Sequence, residues 1–250
     1  MATFILIHGA WHGGWCWERV VPLLEKQGHC VLAPDLPGMG DDHTPLDKIT
    51  LDVWARFVAD LVLQQDEKVI LVGHSRGGIV ISQAAEYCAE KIENLVYLTA
   101  YLLPNKQTIL KTLEQHPPRE SDRLPKFIMS DDMRASVVES ADVRDFFYNC
   151  TDAEWCDRAA ARLCWEPVMS FSTPVKISEE KFGKIPRSYI ECLQDKGIPI
   201  SMQREMQSAL PCERVITLDT DHSPFYSAPE QLAAGLIELA QSKKIVKRIS

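Results

Sequence analysis

This chain predicts an α/β fold, a parallel sheet flanked by helices with an inserted helical cap, on three observations. Short, near-continuous apolar runs alternate with helix-compatible segments, the pattern of strands buried on both faces. One strand-to-helix junction reads Gly73-His74-Ser75-Arg76-Gly77. Between positions 105 and 183 the alternation lapses, and it resumes afterwards. The expected division is therefore a core of residues 1–104 and 184–250, with residues 105–183 as the cap.

Taken in order, Thr3 to Ile7 reads as a buried strand running into the glycine loop His8-Gly9-Ala10-Trp11-His12-Gly13-Gly14. A helix with Trp17, Val20, Val21, Leu23 and Leu24 on its apolar side follows and is closed by Gly28. Cys30 to Ala33 is the next strand, ending in a loop through Asp35, Pro37, Gly38 and Gly40. Thr50 is the expected N-cap of a helix whose apolar residues include Leu51, Trp54, Val58, Leu61 and Val62. Strands are expected at Lys68 to Val72 and Leu95 to Leu98. After the insertion, strands are expected at Ser188 to Leu193 and Arg214 to Leu218, with a helix from Ile200 to Ala209 between them. Ser227-Ala228-Pro229-Glu230 reads as a capping box for the last helix, and the basic tail Lys243, Lys244, Lys247 and Arg248 complements that helix's negative end.

The insertion contains His116-Pro117-Pro118-Arg119, charged clusters and helical segments, and no strand is expected in it. Its apolar residues are largely aromatic and methionine, among them Phe127, Met133, Phe146, Phe147, Trp155, Trp165 and Phe171. Most of these are expected to build the cap's own core.

Composition narrows the function classes. The chain has 250 residues, 46% hydrophobic and 25% charged, enough to bury a full core. A formal net charge of −8 argues against nucleic acid and anionic membranes as partners. Neutral or apolar small molecules are the easier ligands. The N-terminal segment lacks the basic region and apolar length of a signal peptide, and no apolar run reaches the ~20 residues of a membrane span. The eight cysteines show no metal-type spacing and are read as reduced thiols, so the expected location is cytoplasmic. A homodimer is left open.

Gly73 and Gly77 leave room for a tight turn that exposes Ser75 at a helix N-terminus, where unpaired N–H groups favour a developing anion. A serine hydroxyl needs a base to act as a nucleophile, and the base needs an acid to orient it. His222 is the one histidine in a strand-end loop late in the chain. Asp195, Asp219, Asp221 and Asp35 are the candidate acids. Asp195 is preferred because it combines a late strand end with the Ser, Asp, His chain order. The backbone N–H groups of Ala10 and Arg76 are the candidate oxyanion donors. His8 and His12 are expected to be structural, His74 to point to the opposite side of its strand, and the Arg76 side chain to make a surface ion pair.

Phe4-Ile5-Leu6-Ile7-His8-Gly9-Ala10, His12-Gly13-Gly14-Trp15, the junction at Ser75, and Gln194-Asp195-Lys196-Gly197-Ile198-Pro199 together resemble the plant methylesterase and hydroxynitrile lyase subfamily of α/β-hydrolases. The resemblance covers nearly the whole chain. It implies Ser75, Asp195 and His222 as a catalytic triad, Ala10 and Arg76 as oxyanion donors, no cofactor or metal, and a six-stranded parallel sheet. Lyases of this subfamily carry Thr or Asn where Gly9 stands, and many carry Lys where Ser223 stands. Both departures favour hydrolysis. Arg76 occupies a position where the plant pattern has a bulky apolar residue, which argues against plant-hormone ester specificity and is compatible with a bacterial relative. The expected activity is a serine carboxylesterase for small to medium apolar or aromatic esters. Cyanohydrin cleavage and non-catalytic ligand binding are the alternatives.

Overall fold

The computed structural model describes residues 1–117 and 124–241. Pro118, Arg119 and the basic tail at 243–248 lie outside the described residues.

The first half of the chain lays down β1 (Thr3–Ile7), a 3-10 turn at Gly14–Trp17, α1 (Val21–Lys26), β2 (Cys30–Leu32), α2 (Leu51–Leu63), β3 (Val69–His74), α3 (Gly77–Cys88) and β4 (Ile92–Leu98). The insertion adds α4 (Ile109–Gln115), β5 (Phe127–Met129), β6 (Ala135–Val138), α5 (Ser140–Phe147), α6 (Ala153–Ala160), β7 (Glu166–Pro167) and α7 (Met169–Ser172). The chain then returns through β8 (Arg187–Cys192), α8 (Ile200–Ala209), β9 (Arg214–Leu218), α9 (Pro224–Ser227) and α10 (Pro229–Gln241).

Six strands form one parallel sheet in the order β2-β1-β3-β4-β8-β9. Every residue of β3 is buried, as a central strand covered on both faces requires. The chain runs outward from β1 to β2, then returns to place β3 on the other side of β1. That reversal puts the topological switch point at the carboxyl ends of β1 and β3, where open α/β sheets bind ligands. The loops after β3, β8 and β9 carry Ser75, Asp195 and His222, so a parallel sheet delivers all three to one edge.

The helices form by the rules the sequence displays. Thr50 caps α2, its hydroxyl accepting the Val53 N–H at 3.1 Å. The helix buries Leu51, Trp54, Ala55, Val58, Ala59 and Val62, a stripe at three- and four-residue spacing. α3 runs unusually close to the sheet. A Cβ on Gly77 would lie 2.8 Å from the carbonyl oxygens of Ile7 and His8, so only glycine fits there.

Two expectations need correction. The insertion is not all helical: β5, β6 and β7 form a three-stranded antiparallel sheet, with Phe127 opposite Val138 and Ser136 opposite Glu166. These strands are two to four residues long, too short to show an alternation, and their hairpin turns through Met133 at φ 60° with no glycine to mark it. None of the described insertion joins the six-stranded sheet. Ser227 does not form a capping box. Its hydroxyl donates to Asp221 at 2.7 Å, and α10 opens on Pro229, whose missing N–H costs nothing at a first helical turn.

All eight cysteines are free, with Cys16, Cys88, Cys156 and Cys192 buried and Cys30 and Cys150 exposed. Among the described residues no helix is long and apolar enough to cross a membrane.

Candidate active site

Ser75 sits at φ +53°, a left-handed conformation rarely adopted outside glycine and costing on the order of 1–3 kcal/mol. The surrounding backbone enforces it. The Ser75 N–H donates to Leu98 O at 3.3 Å, and its carbonyl accepts from Gly78 at 3.0 Å and Tyr101 at 3.1 Å. A Cβ on Gly73 would lie 2.7 Å from Gly77 O, so the strand and the helix can meet only because both flanking residues are glycine.

His222 Nε2 lies 3.0 Å from Ser75 Oγ, and His222 Nδ1 lies 2.7 Å from Asp195 Oδ2. The structure therefore brings together the three residues that chain order selected. Asp195 also receives the Gly197 and Ile198 N–H groups on Oδ1, at 2.6 and 2.8 Å, and the Thr99 hydroxyl on Oδ2. This many donors fix the carboxylate in direction.

The other candidate acids have separate tasks. Asp221 is fully buried and accepts from Cys150 N–H, Thr151 Oγ1 and Ser223 N–H at 2.8, 2.9 and 3.0 Å, tying the His222 loop to the insertion. Asp35 receives the Gly14 N–H at 2.6 Å and the Asp41 N–H at 3.0 Å, fixing the glycine loop. Asp219 accepts from Gln194 at 2.9 Å.

Three further histidines are buried around the site. His8 accepts the Leu36 N–H on Nε2 at 3.1 Å and donates Nδ1–H to Gly9 O at 2.8 Å. His12 donates Nδ1–H to Ala10 O at 2.7 Å and accepts from the Tyr148 hydroxyl at 2.6 Å. Both bond backbone carbonyls of the glycine loop. His74, expected to point to the opposite side of its strand from the nucleophile, lies against His222. Its Nε2–H donates to His222 O at 2.8 Å, and its ring centroid is 4.8 Å from that of His222. Burial holds the His12 imidazole down to about 4, and drives His8 and His74 well below the ordinary value.

The expected surface ion pair of Arg76 is also corrected. Arg76 is fully buried and binds Glu166 of β7 through Nε at 2.9 Å and Nη2 at 3.2 Å, with no exposure of either side chain. Its guanidinium carbon stands 4.1 Å from the centre of the Trp54 ring, and Nη2 also donates to Gly9 O at 3.0 Å. Glu166 lies 90 positions downstream in the aperiodic insertion, so no local pattern marked the partner.

Trp11, next to Ala10, gathers an aromatic group beside His222. Its ring packs on Phe127, Phe147 and Phe171 at centroid distances of 5.5, 5.7 and 5.6 Å, and Phe147 lies 5.6 Å from His222. At the lyase-diagnostic positions, a Cβ on Gly9 would lie 2.8 Å from His74 Nδ1 and 2.9 Å from Ser75 Cβ. Ser223 is buried and offers no cation.

A parallel sheet with a serine, a histidine and an aspartate hydrogen-bonded in series across its carboxyl edge is the architecture of a hydrolase. The chain belongs to the alpha/beta hydrolase family, whose model matches residues 4–235. Its relatives put it in the esterase-like branch. It is 35% identical to a pyrethroid hydrolase of Sphingobium wenxiniae, over 97% of this chain and 89% of that protein. It is 34% identical to methylesterase 1 of Arabidopsis thaliana, over 95% of each. Putative methylesterase 15 of the same plant, a chloroplastic protein, is 34% identical over 95% of this chain, which spans 56% of its length. The solved pyrethroid hydrolase of Sphingobium faniae superposes with a TM-score of 0.84 at 33% identity, covering 96% of this chain and 97% of that one. Polyneuridine aldehyde esterase, at 24% identity and a TM-score of 0.87, covering 96% and 99%, shares the fold.

Proposed function

We propose that this protein is a serine carboxylesterase for small to medium esters with apolar or aromatic parts. The observation that carries the reading is the hydrogen-bonded series Ser75 Oγ, His222 and Asp195, on a serine held in a strained turn. His222 takes the Ser75 proton as Oγ attacks the acyl carbon, and Asp195 fixes the imidazole tautomer and stabilises its charged form. The oxyanion is received by the Ala10 and Arg76 N–H groups. Neither is taken by a protein acceptor among the described residues, and Arg76 opens α3, where the helix dipole favours negative charge. His222 returns the proton to the departing alcohol, then activates water against the acyl-enzyme and restores Ser75. Water is the only co-reactant the cycle needs.

The substrate class rests on the aromatic group around Trp11, Phe127, Phe147 and Phe171 beside His222. Residues 105–183 supply three of these four rings, and we assign them the part of a cap over the residue 1–104 and 184–250 core. Relatives named for pyrethroid hydrolysis and methyl-ester hydrolysis fit the same reading. Two exposed thiols, Cys30 and Cys150, suit a reducing cytoplasmic setting.

Ser75→Ala tests the mechanism. It is expected to lower kcat on p-nitrophenyl acyl esters by about 10³-fold or more and to abolish labelling by a fluorophosphonate. Full activity in that variant would overturn the reading. A series of acyl chain lengths and aryl esters then ranks the substrates.

A further inference from the structure

Arg76 supplies a backbone N–H to the site through the peptide before it, yet its side chain turns away into the protein. The guanidinium meets three groups there: the Glu166 carboxylate, the face of Trp54 and the Gly9 carbonyl. The last contact matters most. Gly9 O belongs to the same peptide unit as the Ala10 N–H, and a trans peptide is planar with its C=O and N–H pointing opposite ways. Fixing the direction of Gly9 O therefore fixes the direction of the Ala10 hydrogen.

The neighbouring contacts extend this control. Gly9 O also accepts Nδ1–H of His8 at 2.8 Å. On the far side of Ala10, its carbonyl accepts from His12 at 2.7 Å, and the Trp11 N–H donates to Glu166 Oε2 at 3.2 Å. Trp11 itself sits at φ +61°, a conformation that needs such ties to persist. Glu166 is held in turn by the Ser170 hydroxyl at 2.8 Å and by the pairing of β7 with β6. Both peptide units flanking Ala10 are thus anchored by side chains, and one buried carboxylate joins the loop, the serine turn and the insertion.

We propose that Arg76 and Glu166 act as a positioning clamp, the Arg76 fork holding the Gly9 carbonyl so that the Ala10 N–H is aimed at the oxyanion formed on Ser75 attack. The proposal rests on the reading of Ser75 as nucleophile. Neither side chain touches the reacting atoms. If the pair served only to staple the insertion to the core, its loss would change stability and substrate affinity and leave transition-state binding alone.

Arg76→Met by itself would strand a buried carboxylate. The test is therefore the double variant Arg76→Met/Glu166→Gln, which removes both charges, fills the volume and leaves an amide oxygen for the Trp11 N–H. Its kcat on p-nitrophenyl acetate is expected to fall about 10- to 100-fold with KM within about threefold, a part of what losing one oxyanion donor costs. The Ki of an aryl trifluoromethyl ketone, which Ser75 converts to an oxyanionic hemiketal, should rise by the same factor. The Ki of the matching methyl ketone, which forms no such adduct, should stay within about threefold. A folded double variant with wild-type kcat and wild-type trifluoromethyl ketone Ki overturns the clamp, as does a loss confined to KM.

Should the double variant not fold, Arg76→Lys keeps a cation opposite Glu166 without the planar fork. It is expected to show the same parallel loss in smaller measure, and wild-type values of both constants would overturn the clamp. If the wild-type protein hydrolyses no ester and binds the two ketones equally, the esterase reading itself fails. If the wild type discriminates between the ketones and the variant does so equally well, only the clamp fails.

Discussion

Thr99 donates its hydroxyl to Oδ2 of Asp195, the oxygen that also takes Nδ1–H of His222. Thr99 follows β4 directly, at φ +36°, and its own N–H donates to Ile190 O of β8 at 2.8 Å. One residue at the end of one strand thereby orients an acid carried by the next. Thr99→Val keeps the shape and removes the donor. A hydrogen bond to a charged group is worth about 1.5–3 kcal/mol, so the variant should melt at a lower temperature and lose roughly three- to tenfold in kcat. Thr99→Ser should recover most of both. A Val variant with wild-type kcat, measured on a p-nitrophenyl ester beside its melting curve, would show that Asp195 needs no help from Thr99.

Thr99 also marks where sequence reading stops. The strands and the Ser75, Asp195, His222 set were legible because each rests on a local signal: a continuous apolar run, a glycine-flanked serine, or a charged residue just past a strand end. Asp195 is preferred for its late strand end, Asp221 lying too close in sequence to His222; in the structure Asp195 meets the His222 ring while Asp221 accepts from Cys150, Thr151 and Ser223. The partners were not legible where they lie far apart in the chain. His74 reaches the carbonyl of His222 across 148 positions, and Arg76 reaches Glu166 across 90. Period-two alternation predicted which way His74 leaves its strand but could not say what waits there. The hairpin of β5 and β6 was missed because strands this short carry no period, and β7 is shorter still.

Gly9 is one of the two positions that bear on hydrolysis against the lyase alternative, and the space around it is tight. An added Cβ would meet the ring of buried His74 at 2.8 Å and Ser75 Cβ at 2.9 Å, neither of which is the free end of a flexible chain. Gly9→Ala should therefore destabilise by about 1–3 kcal/mol and displace Ser75 or the glycine loop. The expected reading is a lower denaturation midpoint together with a fall in kcat of at least about tenfold. Gly9→Thr should do worse on both counts and gain no release of cyanide from mandelonitrile. Cyanide release in that variant at a rate rivalling wild-type ester turnover would restore the lyase reading.

The buried histidines make the fold sensitive to mild acid. His8, His12 and His74 have their imidazoles lowered by burial first; the Arg76 charge adds to it for His8 and His12, and repulsion from a protonated neighbouring imidazole adds to it for all three. His12 falls from 6.5 to about 4. Between those values the unfolded chain binds a proton at this position and the native protein does not, so stability drops as pH falls through the window. For His12 alone the full effect is on the order of 3 kcal/mol. His116, raised by its bonds to the Thr112 carbonyl and Glu205, acts above this window with the opposite sign. Urea midpoints should therefore fall steadily from about pH 7 to about pH 5. His12→Asn keeps a donor for the Ala10 carbonyl and cannot titrate, so its midpoints should fall less steeply, by about one proton's worth of slope. Parallel curves for the variant and the wild type would mean that His12 is not held neutral in the native protein.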